Sequence, residues 1–245
     1  MVIEDFLQKN PLRVLNLDAD GKVVDRRMGL VIARAGLGKT SILVQIALDS
    51  LLRGKRIVHV SIGQNLDKTK ARYDDIYNNT VKAYNLENAA ALRDETMRNR
   101  IIMTFNESGF NVPMLQERLN DLIDQDIFRP AGLVFDGYDF TLAEKEDLIG
   151  MRKLVKKIGL NVWFSAVCHR NDPRESKVGV PAPCHEVEDL FDTIILLQAE
   201  SREPAAGRSG NGKVIELNIL KDTTGGTDSS RILNLDPATL MIIRE

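Results

Sequence analysis

Residues 33–40 read "ARAGLGKT". The phosphate-cradling pattern G-x-x-x-x-G-K-[ST] begins with glycine, whereas this stretch begins with Ala33. Ahead of it, "GLVIAR" has the length and β-branching of a buried strand. Behind it, "SILVQIALDSLLRG" carries Ile42, Leu43, Ile46, Ala47 and Leu51 at helical spacing. Strand, loop, helix is the order such a loop needs. In that setting the backbone N–H groups from Ala35 through Gly36, Leu37, Gly38 and Lys39 to Thr40 turn inward on a β-phosphate, and Ser41 completes the cofactor-binding stretch. The two glycines allow the curvature, and the helix start adds its positive dipole end. Lys39 neutralises phosphate charge, and the Thr40 hydroxyl ligates a Mg²⁺ that bridges the phosphates. The competing reading is a chance Gly-rich turn before a helix.

Composition narrows the remaining classes. The chain has 245 residues, 43% of them hydrophobic, enough for one sizeable α/β core, and we expect a single domain over 1–245. Lys and Arg total 33 against 35 Asp and Glu, a net charge of −2, so no global basic field draws the protein to nucleic acid. The start "MVIEDFLQKN" places acids where a secretory leader needs a positive region, and no apolar run reaches the ~18 residues of a membrane span. A cytoplasmic location is the expectation. Two cysteines make no disulfide framework.

Outward from the loop, apolar runs recur at "RIVHVSI" (56–62), "RIIMTF" (100–105), "GLVFD" (132–136), "NVWFSAV" (161–167) and "DTIILLQ" (192–198). Between them lie a polar helical segment at 67–98 and amphipathic helices at 111–125 and 141–159, the last ending at Gly159. This alternation predicts a mostly parallel sheet flanked by helices. From Lys213, "KVIELNIL", "SSRILNL" and "TLMIIR" predict antiparallel hairpins at the sheet edge. The stretch 200–213, rich in Gly, Ala and Ser, reads as a loop. A phosphate loop also needs a carboxylate at the end of a neighbouring strand, and "GLVFD" supplies Asp136 as the second metal residue beside Thr40.

With these pieces in place the chain resembles the RecA-like P-loop ATPases, in the branch of DnaB-type helicases and KaiC-like proteins. Helicase loops often start with Ala-Arg, as this one does. The resemblance runs from about Gly29 to the C-terminus and is patchy between Asn79 and Pro130. It implies a RecA-like fold, ATP and Mg²⁺ as ligands, and a homo-oligomeric ring or filament. It also implies a catalytic glutamate after the second strand, with an adenine-stacking arginine nine residues later. Here Arg72 stands nine residues beyond Gly63, so the glutamate position falls on Gly63, followed by Gln64; neither can take a proton from water. An exposed helix charge is the other reading of Arg72.

In "WFSAVCHR", His169 takes the place of the family's γ-phosphate sensor; otherwise it is a partly buried histidine without a ligand. In "ILKDTTGGTDSS", Lys221 and Gly225 match the K-x-R-x-G hairpin that reaches a neighbouring subunit, but Thr223 replaces its arginine. Candidate catalytic positions are therefore Gln64, His169 and Lys221. With glutamate and arginine both missing, the expectation is an Mg·ATP-binding assembly or regulatory module with weak or absent hydrolysis. The alternative is an active ring ATPase motor working on nucleic acid or a protein, its base supplied by Asp67, Asp136 or Glu107. The stretch after His169 carries Arg170, Arg174 and Lys177 but also Asp172 and Glu175, a poor surface for stacking bases, so nucleic acid has no support as a partner. Cys168-His169 and Cys184-His185 repeat a pair that could bind zinc, but adjacent strand residues face opposite ways and the spacing matches no standard finger.

Overall fold

The computed structural model describes residues 27–86, 88–169, 171–199, 214–223 and 232–243. An eight-stranded sheet organises them. Its strands in chain order are β1 (Met28–Ala33), β2 (Ile57–Ile62), β3 (Arg100–Phe105), β4 (Gly132–Asp136), β5 (Asn161–Val167), β6 (Thr193–Ala199), β7 (Ile215–Asp222) and β8 (Ile232–Leu235). In space they run β3-β2-β4-β5-β1-β6-β7-β8. The first six are parallel, and β7 and β8 add antiparallel at one edge. β1, β2 and β4 are buried at every residue, as the unbroken apolar runs require of strands covered on both faces.

The helices are α1 (Lys39–Leu52), α2 (Leu66–Tyr84), α3 (Ala89–Arg98), α4 (Val112–Asp124) and α5 (Lys145–Ile158). One core joins α1 and the Tyr73, Ile76 and Tyr77 face of α2 to Val31, Val134 and Trp163. The other joins α4 and α5 to Leu30, Val60, Phe135 and Phe164. Gly29 makes the first core possible, because a Cβ there would lie 2.4 Å from the Trp163 ring. Where β1 and β6 begin, Arg152 of α5 grips Asp192 with two N–H groups, and Asp192 also accepts the Met28 N–H at 2.8 Å.

Three expectations need correction. The polar segment 67–98 is two helices, because Asn85 (φ 48) and Asn88 (φ 53) adopt the left-handed conformation that asparagine tolerates at helix ends. The helix expected from 141 starts at Lys145, since Asp139 accepts both the N–H and the hydroxyl of Thr141 and holds that stretch in a turn. The described part of "TLMIIR", residues 239–243, is not a strand. Asp236 collects the N–H groups of Ala238 and Thr239, Leu240 turns with φ 56, and only a single bridge, Leu235 to Ile242, remains. Leu240 and Met241 are fully buried there. The expected loop 200–213 lies outside the described residues.

Candidate functional site

β1 and α1 meet in a turn of residues 34–38, with Gly36 at φ 82 and Gly38 at φ 87. A Cβ at Gly36 would meet nothing within 4 Å, so this glycine serves conformation rather than packing. Gly38 caps α1 with no side-chain hydrogen bond, leaving the first-turn N–H groups free of a competing cap. Lys39 donates to the Arg34 carbonyl at 3.3 Å, folding its ammonium over the turn. Burial pushes the Lys39 pKa down, and nearby Asp136 opposes the shift.

β5 lies between β1 and β4, which brings the loop and the end of β4 to one edge. There Asp136, 4% exposed, accepts three hydrogen bonds: from the Thr40 hydroxyl at 2.7 Å, the Ser165 hydroxyl at 2.8 Å and the Gln64 amide at 3.3 Å. The donors come from α1, β5 and the turn after β2. All three donors are neutral, and the Lys39 ammonium is the cation that Asp136 attracts. Two hard oxygens, hydroxyl and carboxylate, held at bonding distance at the start of a helix suit Mg²⁺. Thr40 and Asp136 thus fit the metal that the motif implies.

Behind Asp136 the interior is polar. Ser61 pairs with Asp136 in register and takes a hydrogen bond from Thr69 at 3.2 Å. His59, two residues earlier on the same face, has Nδ1 3.1 Å from the Tyr73 hydroxyl, while its Nε2 is buried without a partner. Arg100 covers the Tyr73 ring at 4.1 Å. Burial pushes His59 down to about 4, against the attraction of Asp136 and with the repulsion of Arg100.

The end of β2 departs from strand alternation. Gly63 has φ 73, which turns the chain so that Gln64, the residue after it, aims at Asp136. Asn65 then caps α2 by accepting the Lys68 N–H at 2.9 Å. The space over Gly63 is filled by Glu107: a Cβ on Gly63 would stand 2.6 Å from its Oε1 and 3.0 Å from its Cγ. Both residues line an open cleft of about 860 Å³ with Gln64, Asn106 and Arg118. Among the candidate bases only Glu107 has this position; Asp67, in the first turn of α2, is exposed and does not line the cleft.

The other candidates fall in several places. Cys168 donates its N–H to the Ala33 carbonyl at 3.1 Å, tying the end of β5 to the loop, and exposed His169 follows it. Arg72 projects from α2 with its side chain 47% exposed and Asp75 4.0 Å away. Lys221 sits near the end of β7, which runs antiparallel to β6, and therefore lies at the edge away from the loop; it donates to the Glu188 carbonyl at 2.7 Å. Thr223 donates its N–H to the Asp192 carbonyl at 2.9 Å. Arg174 is forked onto Asp172 at 2.9 and 2.6 Å. Arg170 and Gly225 lie outside the described residues. Cys184 is buried and His185 lies 3.8 Å from Glu186; among the described residues no group of three His, Cys, Asp or Glu could hold a metal.

Glu107 and Gln64 are both candidates in the sequence; spacing conceals the turn at Gly63 that aims Gln64 inward and the contact of Glu107 with Gly63. The glycine itself was the available signal, since a positive φ at the end of a strand reverses which residue faces the site. Among the described residues no helix is long and apolar enough to cross a membrane. No protein-family model matches the chain, and no curated protein matches its sequence.

Proposed function

We propose that the chain is a RecA-like Mg·ATP-binding protein with weak hydrolysis, acting as a nucleotide-dependent assembly or regulatory module. The observation that carries this reading is the 2.7 Å hydrogen bond from Thr40 to Asp136, which joins the phosphate-loop hydroxyl to the strand-end acid of β4 across the sheet. A chance Gly-rich turn has no reason to end against a buried carboxylate. The strand order supports it too, since β5 separates β1 from β4 and delivers Ser165 to the same acid.

In this reading the N–H groups of residues 35–41 hold the phosphates, Lys39 offsets their charge, and Thr40 and Asp136 hold Mg²⁺, which screens the phosphate oxygens when bound. Gln64 orients groups at Asp136 but cannot accept a proton. Thr223 supplies no guanidinium to a neighbouring site, and a missing arginine of that kind removes orders of magnitude in rate. Slow turnover follows. The second reading, an active ring motor, would also take its base from Glu107, a carboxylate on the cleft beside Gln64, and still lacks the arginine.

Calorimetric titration with Mg·ATP tests the proposal. Lys39→Ala removes a charge-assisted contact worth ~1.5–3 kcal/mol, so affinity should fall about tenfold or more. Equal affinity in the two proteins refutes the site. Steady-state phosphate release above roughly one per second, in the range of ordinary enzymes, would replace the first reading by the motor.

A further inference from the structure

Breaking a phosphoanhydride with water needs a group that orients the water and takes its proton. Asp136 is poorly placed to do so, because Thr40, Ser165 and Gln64 already donate to its two oxygens. Gln64 has no basic atom. Glu107 is the one carboxylate among the residues that line the cleft beside Gln64.

The backbone brings this exposed side chain against Gly63. Gly63 donates its N–H to the Phe105 carbonyl at 2.9 Å, locking the ends of β2 and β3 side by side. Two residues past Phe105 a short 3₁₀ turn, Glu107–Gly109, curls the chain back, and the Glu107 carboxyl comes to rest on the bare Cα of Gly63. Any other residue at 63 would occupy that space. Absence of a side chain at 63 and presence of a carboxylate at 107 are therefore one arrangement.

We propose that Glu107 is the general base of the slow hydrolysis, reaching the attacking water from β3 over Gly63; this rests on the Mg·ATP reading above. The water oxygen forms a bond to the terminal phosphorus as the bond from that phosphorus to the β-bridging oxygen breaks. ADP leaves with that electron pair. The water proton passes to the Glu107 carboxylate and then to solvent.

Two measurements on the full chain test it, using Glu107→Gln, which keeps shape and removes the basic oxygen. In single-turnover hydrolysis of bound Mg·ATP, Glu107→Gln should slow the reaction by about 10²-fold, the lower end of general-base assistance. In equilibrium titrations the same variant should bind Mg·ATPγS tighter, on the order of threefold, because a carboxylate no longer faces the terminal phosphate, while Mg·ADP affinity stays unchanged. Wild-type hydrolysis undiminished in Glu107→Gln overturns the assignment. So does wild-type binding without any hydrolysis, or equal shifts for the two nucleotides. If wild type binds no Mg·ATP, the nucleotide reading itself fails and takes this one with it.

Discussion

Replacing Gly63 by alanine probes the most unusual contact of the site. The residue has φ +73, where a Cβ costs about 1–2 kcal/mol, offset by up to about 1 kcal/mol from the reduced freedom of the unfolded chain. The new methyl would also stand 2.6 Å from Glu107 Oε1, closer than real contacts, and a tight 3.2 Å from its Cδ, so the carboxyl must move. Glu107 is exposed, so moving the end of its side chain aside costs at most about 1 kcal/mol. Together these give a net loss of up to about 3 kcal/mol, a fall in Tm of up to roughly 12 °C for a chain of this size. Gly54→Ala is the control. It shares the conformation, φ +72, but its Cβ would meet nothing within 4 Å. The assay is urea unfolding of both variants, alone and combined with Glu107→Ala. Gly63→Ala should be the more destabilised, and Glu107→Ala should remove the excess. Equal loss in both glycine variants, with no coupling to Glu107, refutes the placement of that side chain.

Acid should weaken the fold through His59. Its pKa is lowered from 6.5 to about 4 in the folded chain, so between these values the unfolded state binds the proton more, and stability declines as pH falls through that window. The loss should be on the order of 3 kcal/mol by pH 4, and His59→Gln should flatten the denaturation midpoint measured across it. On the proposed reading nucleotide should also promote self-association: Lys221 lies at the edge away from its own chain's loop, so any phosphate it meets would belong to another copy. Light scattering should show larger species with a non-hydrolysable ATP analogue, and Lys221→Ala should lose the response. A monomer under all conditions leaves Lys221 as the lysine that steadies the Glu188 carbonyl.

Much of the sheet was legible because its signal is continuous. β1, β2 and β4 are buried on both faces, and such strands must be written as unbroken apolar runs. Asp136 was legible for the same reason, as the acid that ends one of those runs. The meeting of Gln64 with Asp136 was hidden because periodicity assumes that neighbouring strand residues alternate, and one left-handed glycine cancels the assumption. Sequence alone leaves Glu107 as one of three candidate acids, because a short 3₁₀ turn has no period and its partner lies on a different strand. The polar cluster of His59, Tyr73 and Arg100 was equally silent, its members being drawn together by the packing of α2 and the pairing of β2 with β3. The failed last strand shows the opposite error. "TLMIIR" is apolar because Leu240 and Met241 are buried, yet burial alone does not make a strand.

Amide hydrogen exchange, resolved to single residues with and without Mg·ATP, tests the phosphate loop most directly. If the N–H groups of residues 35–41 hold the phosphates, their exchange should slow sharply on binding, together with that of the adjoining first turn of α1, and Lys39→Ala should abolish the change at the same concentration. Unaltered exchange across 35–41 at saturating Mg·ATP, or protection confined to another part of the chain, would contradict the account.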